Sequence, residues 1–168
     1  MADKKLTIQQ IALFGVLGAL TFGAKFVMSY LPNIEPVSLL VMVYAVVLEK
    51  KALYPISIYV ILEILVYGLG TWNINYLYIW GILWLAAYVL RSMTHPLGWA
   101  VLSGGFGLVF GLLCAPVDMA MGGFSFALSK WVSGIGYDLL HCAGNFVITL
   151  VLFAPLRQLM TRLYSKLL

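Results

Sequence analysis

The chain has 168 residues, of which 63% are hydrophobic and only 10% charged, and its mean hydropathy is +1.01. A soluble domain of this size cannot cover so much apolar side chain, so the composition indicates an integral membrane protein. Long continuous apolar runs, not dyad-alternating ones, indicate helices and exclude a barrel. The net charge of +4 is too small and too scattered for a nucleic-acid surface and reads as a topology signal.

In chain order, MADKKLTIQQ is a short polar lead, and the first span covers about 6–30 before LPNIEP breaks it with two prolines. Its apolar run is too long for a cleavable signal and lacks a small-residue cleavage site. The second span, 37–48, ends in Glu49-Lys50-Lys51, and the third, 52–69, accepts Pro55 in its first turn and closes on Gly68 and Gly70. The fourth covers 74–90 and ends at Arg91, ahead of His95-Pro96. The fifth, glycine-rich, runs over 97–115 and stops at Pro116. Residues 116–134 read as a long loop, part of it suited to a short interfacial helix. The sixth span, 135–156, leads into a basic tail. The expected fold is an all-α membrane protein, one domain of six transmembrane helices without internal repeats.

Charge sets the orientation. With a cytoplasmic N-terminus, Lys4, Lys5, Lys50, Lys51, Arg91, Arg157, Arg162 and Lys166 all fall inside, leaving Lys130 and Lys25 outside. Both termini are therefore expected in the cytoplasm of a bacterial-type plasma membrane, with segments 31–36, 70–74 and 116–134 on the outer side. Most polar residues that are not topology signals belong to those segments or to the outer half of a span.

The stretch YGLGTWNINYLYIWGILW, residues 67–84, sets Tyr67, Trp72, Asn73 and Asn75 at the head of an apolar helix. From Asn73 onward, Tyr76, Trp80 and Trp84 share one helical face. An interfacial aromatic belt explains Trp72 and Tyr76. A stacking wall for a flat small molecule, edged by the amides Asn73 and Asn75, also explains the deeper Trp80 and Trp84. Glu63 and Lys25 lie at similar depth, roughly 8–10 Å below their helix ends, so an ion pair between them is open; the alternative is a snorkelling Lys25 and a Glu63 in a wet crevice.

In the sixth span, Asp138, His141 and Asn145 recur at helical spacing on one face, with Tyr137 beside it. Acid, imidazole and amide together suit a polar heterocycle; interhelical packing bonds are the bland alternative. The set is too thin for a metal. An Asp–His enzyme would need a nucleophile such as Ser129 or Ser133, so no catalytic residue, metal or cofactor is assigned. Asn33 and Glu35 lie in a loop between Pro32 and Pro36, where Glu35 either caps the second helix or overhangs a pocket. Cys114 and Cys142 read as free thiols. Gly15, Ala19 and Gly23 form a small-residue stripe on the first helix, for packing within the chain or against a separate membrane subunit.

On these features the chain resembles the substrate-binding S components of energy-coupling factor (ECF) vitamin transporters. They are small six-helix proteins with both termini inside and a small-residue first helix. The resemblance implies capture of a vitamin or precursor at the outer face and docking of the first helix, through Gly15 and Ala19, on a transmembrane coupling subunit. Two cytoplasmic ATPases would drive uptake. This chain has no GxxxxGK[ST] loop, so ATP hydrolysis would be theirs. The aromatic wall and the acids favour a flat, neutral or cationic ring, such as a pyrimidine or pyridine precursor, dimethylbenzimidazole, thiamine or a pyridoxine-like compound. A non-catalytic scaffold and an intramembrane Asp/His enzyme are the competing readings.

Overall fold

A computed structural model describes residues 6–31 and 33–167. Lys4, Lys5 and Pro32, which enter the topology and loop readings above, lie outside the described residues. The fold is all-α, with helices α1 (Ile8–Val27), α2 (Val37–Leu48), α3 (Leu53–Tyr67), α4 (Thr71–Val89), α5 (Pro96–Leu108) and α6 (Phe110–Ser165). A 3-10 helix, Glu49–Ala52, joins α2 to α3, after Glu49 turns into the left-handed region at φ 53°.

Local chemistry sets the helix starts. Thr7 accepts from the Gln10 amide, and the Gln10 side chain accepts in return from the Thr7 N–H, a reciprocal cap for α1. Asn73 Oδ1 accepts from the Gly70 N–H at the head of α4 (2.8 Å). His95 caps α5, with Pro96 in the first turn, where its missing N–H costs nothing.

α2 is the centre of the molecule. Every residue of it except Val46 and Val47 is buried, as a helix apolar on all sides requires. It packs against α1, α4 and α6, while α3 bridges α1 and α4 and α5 lies along α6.

The region after α5 departs from the expected loop. Residues 116–134 are helical, and the sixth helix does not begin near 135. α6 starts at Phe110, one residue after α5 ends, and its only non-helical point is Gly123 (φ 78°, ψ 179°). An L side chain rarely adopts that φ, so the turn needs glycine although nothing lies within 4 Å of its absent Cβ. The two arms fold back antiparallel. Gly111 N–H donates to Asp138 Oδ1 (3.1 Å), Lys130 pairs with Asp118 across the hairpin, and Trp99 stacks on Phe153 (ring centroids 4.5 Å apart). At 1.5 Å rise per residue the arms, the first counted from the start of α5, are ~40 and ~60 Å long. The tip exposes Met119, Met121, Phe124, Phe126 and Val132. The alternation of turn residues and apolar ones in DMAMGGFSFALS suggested a loop; pairing along the hairpin overrides it.

Large apolar side chains lie exposed, and polar side chains join the apolar core inside. Leu20, Ile61, Leu77, Val101, Val147 and Val151 are all more than 40% exposed, whereas Glu63, Asn73, Asn75, Asp138, His141, Asn145 and Thr149 are buried. Two stretches, Ile8–Val27 and Pro96–Ser165, are long and apolar enough to cross a membrane by length and composition. α2, with 12 residues, and α3, with 15, are too short for that criterion, which departs from six full-length spans.

Candidate functional site: a charged cleft over an aromatic cluster

Four helices bring side chains to one end of the bundle, α3 and α4 as pairs four residues apart. α3 supplies Tyr59 and Glu63, α4 supplies Tyr76 and Trp80, Phe106 and Phe110 flank the α5–α6 junction, and α6 adds His141. The i, i+4 spacing stacks each pair on one face, and the faces converge. Trp80 is fully buried and touches four rings, with centroids 6.0 Å from Tyr59, 5.4 Å from Tyr76, 5.9 Å from Phe106 and 5.9 Å from Phe110. Phe110 then meets the His141 ring edge-on at 4.9 Å.

Above this cluster lies a cleft of about 270 Å³, lined by Lys25, Met28, Ser29, Leu31, Asn33, Ile34, Glu35, Tyr76, Phe110 and His141. Lys25 Nζ donates to Glu63 Oε2 at 2.8 Å and to Tyr76 OH at 3.1 Å, and stands 4.8 Å from the Tyr76 ring centroid. Lys25 and Glu63 thus form the ion pair that their similar depth permitted, and Lys25 does not merely snorkel. The pair is nearly sealed, with Glu63 1% and Lys25 21% exposed. Asn33, in the left-handed region at φ 54°, donates to the Tyr137 carbonyl (3.2 Å) and ties the loop roof to α6. Asparagine tolerates that conformation better than most residues.

Glu35 does not cap α2, which has no side-chain cap; it overhangs the cleft. Burial lifts its carboxyl from 4.5 to about 7, with Lys25 pulling it down and Glu63 pushing it up. Near neutral pH the charges Lys25, Glu63 and Glu35 therefore sum to between zero and −1, which disfavours an anion.

Several buried polar atoms here have no hydrogen-bond partner among the described residues: both ring nitrogens of His141, Glu63 Oε1, Tyr59 OH and Trp80 Nε1. Orphaned buried groups are costly and uncommon in native proteins. Of these residues His141 lines the cleft, where its ring suits a polar heterocycle and the Tyr76 and Phe110 rings offer a π surface.

Other candidates lie elsewhere. Tyr67, Trp72 and Tyr137 are 45–56% exposed and do not line the cleft; Tyr67 meets Phe22 instead. Asn73 caps α4 through Oδ1, with its Nδ2 buried and unpartnered among the described residues, and Asn75 accepts from Tyr78 OH (3.0 Å). Asp138 points at the first hairpin arm, where Gly111 leaves it room. Asn145 donates to Ser38 Oγ (3.0 Å) and to the Ser103 carbonyl (3.4 Å), joining α2, α5 and α6, which is the interhelical packing alternative. Trp84 lies toward the other end, donating to the Glu49 carbonyl (3.0 Å), so the Tyr76–Trp80–Trp84 stripe does not form one wall.

Sequence reasoning passed over Tyr59, Phe106, Phe110 and Ser29. The spacings Tyr59–Glu63 and Phe106–Phe110 were legible signals, masked by the apolar and glycine-rich runs around them.

Ser133 Oγ donates to the Lys130 carbonyl (2.9 Å). Among the described residues, no three His, Cys, Asp or Glu side chains gather as metal ligands, and Cys114 and Cys142 are free. On α1 the stripe divides. Gly18 is packed, since a Cβ there would lie 2.6 Å from Ile58 Cγ2, whereas Gly15 and Gly23 have nothing within 4 Å and Ala19 is exposed. Comparison of the chain with family models, with curated proteins and with solved structures yields no match.

Proposed function

We propose that the chain is a multi-pass membrane protein that captures a small aromatic molecule in the Lys25–Glu35–His141 cleft, as the substrate-binding subunit of an ECF-type vitamin importer. The observation that carries this reading is His141, with no partner among the described residues on either ring nitrogen, in a cleft that the Tyr76 and Phe110 rings also line. Groups so placed are costly to the empty protein and useful to a ligand that pairs with them.

The membrane reading draws on the exposed apolar exterior and on the polar side chains buried with the apolar core. All six helices would lie within the bilayer; α2 need not match its thickness, being enclosed by its neighbours. Lys50, Lys51, Arg91, Arg157, Arg162 and Lys166 would face the cytoplasm with both termini, and the cleft would face outward. The unpacked Gly15–Ala19–Gly23 stripe would dock on a transmembrane coupling subunit that works with two ATPases, the chain itself being non-catalytic. The ligand would be a neutral or cationic ring of vitamin or vitamin-precursor type.

Mass spectrometry of small molecules released from the purified protein tests this. A stoichiometric aromatic compound is expected, or saturable quenching of tryptophan fluorescence by thiamine, pyridoxine or dimethylbenzimidazole, weakened at least about tenfold in His141→Ala. A protein that carries nothing and binds none of the three would sink the capture role and favour a scaffold.

A further inference from the structure

We infer that the opposite, basic end of the molecule carries a second binding site, for a phosphate group. A cavity of about 470 Å³ opens between the start of α5 and the last turns of α6, where Thr94, Pro96, Phe153, Arg157, Gln158 and Arg162 line it. Arg157 with Thr161, and Gln158 with Arg162, are i, i+4 pairs on adjoining faces of α6, and all four line the cavity. Phe153 is buried and held by its stack on Trp99, so the floor is apolar and fixed.

Among the described residues, no ion pair compensates the charge in this cavity. The three ion pairs among the described residues engage Lys25, Arg91 and Lys130, and neither Arg157 nor Arg162. No Asp or Glu follows Asp138 in the chain. Arg91, at the same end, is different: it faces Glu49 (3.9 Å), donates to the Tyr88 carbonyl (2.9 Å) and lies over the Tyr88 ring. Arg157 is partly buried and has no side-chain partner among the described residues. Two guanidinium forks, a hydroxyl (Thr94) and an amide (Gln158) line this one cavity, and N–H and O–H donors of this kind are the chemistry that grips phosphate oxygens. The apolar floor gives room for the carbon part of a phosphate ester. A phospholipid headgroup and a soluble phosphate share this chemistry.

Native mass spectrometry of the full chain from neutral detergent, with dioleoyl phosphatidylglycerol or phosphatidylcholine added, provides the test. One phosphatidylglycerol should survive activation that strips phosphatidylcholine. Its occupancy should fall about tenfold in Arg157→Gln/Arg162→Gln, which removes two charge-assisted contacts, and stay near wild type in Arg91→Gln. If millimolar inorganic phosphate displaces the lipid and itself raises the melting temperature of the wild type but not of the double variant, the ligand is soluble phosphate; if it does neither, the ligand is the headgroup. Equal retention of both lipids, or equal losses in Arg91→Gln and the double variant, would overturn the site in favour of a diffuse basic surface. Should the double variant fail to fold, Arg157→Lys decides: it keeps the charge and loses the fork, so undiminished phosphatidylglycerol retention would also overturn it.

Discussion

His141 and Asn145 stand one turn apart on the same face of α6, both buried, yet they live in different environments. Asn145 is bonded to Ser38 and Ser103, and Thr149 continues the network to Ser103 Oγ (2.9 Å). His141 has no partner on either nitrogen. The difference follows from the neighbours at each level. At Asn145 the neighbouring elements are the central α2, which offers the Ser38 hydroxyl, and the middle of α5, which offers the Ser103 carbonyl. At His141 the neighbours are Phe110 and the cleft, and Gly107 lets the backbones approach so closely that a Cβ there would lie 2.8 Å from the His141 carbonyl carbon. Polar groups bonded across helices hold the bundle together; polar groups held close without partners are poised for something else. Spacing alone made the two look alike.

The largest effect that would sharpen this contrast is expected at the ion pair. Glu63→Gln leaves Lys25 nearly sealed beside a neutral amide and should cost about 3 kcal/mol, the usual penalty for breaking a buried pair from one side. Lys25→Met/Glu63→Met should recover most of that loss in chemical unfolding in detergent, followed by tryptophan fluorescence. Additive losses would mean that the two charges do not depend on each other.

A smaller effect separates the two α6 residues directly. Asn145→Ala should destabilise by about 1–2 kcal/mol, because Ser38 and Ser103 lose their partner. His141→Met, of similar bulk, should leave stability unchanged or slightly raised while abolishing retention of the aromatic ligand. A His141→Met protein as destabilised as Asn145→Ala would erase the distinction.

The smallest effect concerns pH. Glu35 titrates near 7 in the folded protein and near 4.5 unfolded, so its protonated form favours folding. That contribution is complete below about 4.5, declines as the pH rises and is gone above about 7. Stability should fall with pH across that window, and Glu35→Gln should flatten the slope. Thiamine, a permanent cation, should bind several-fold more tightly at pH 8 than at pH 6 in the wild type, and equally at both in Glu35→Gln. A wild-type profile flat from pH 5 to 8 would remove Glu35 from the cleft's electrostatics.

Much of this molecule follows from local rules that the sequence carries openly. Apolar runs with proline and glycine punctuation determine an all-helical chain and place α2 at 37–48. Equal depth along two helices brings Lys25 and Glu63 within reach. Clustering of polar residues in the stretches around 31–36 and 135–145 marks the end of the bundle that holds the cleft. Tertiary structure decided the rest. The chain reverses at Gly123 and not through a loop, because pairing along the whole hairpin outweighs the turn-like composition of its tip. Trp84 and Asn145 leave the site, and Phe110 joins it, because a helical face specifies a direction and only the neighbouring helix specifies what stands there. Periodicity is a property of one helix, whereas a hydrogen-bond partner, or the lack of one, is a property of two.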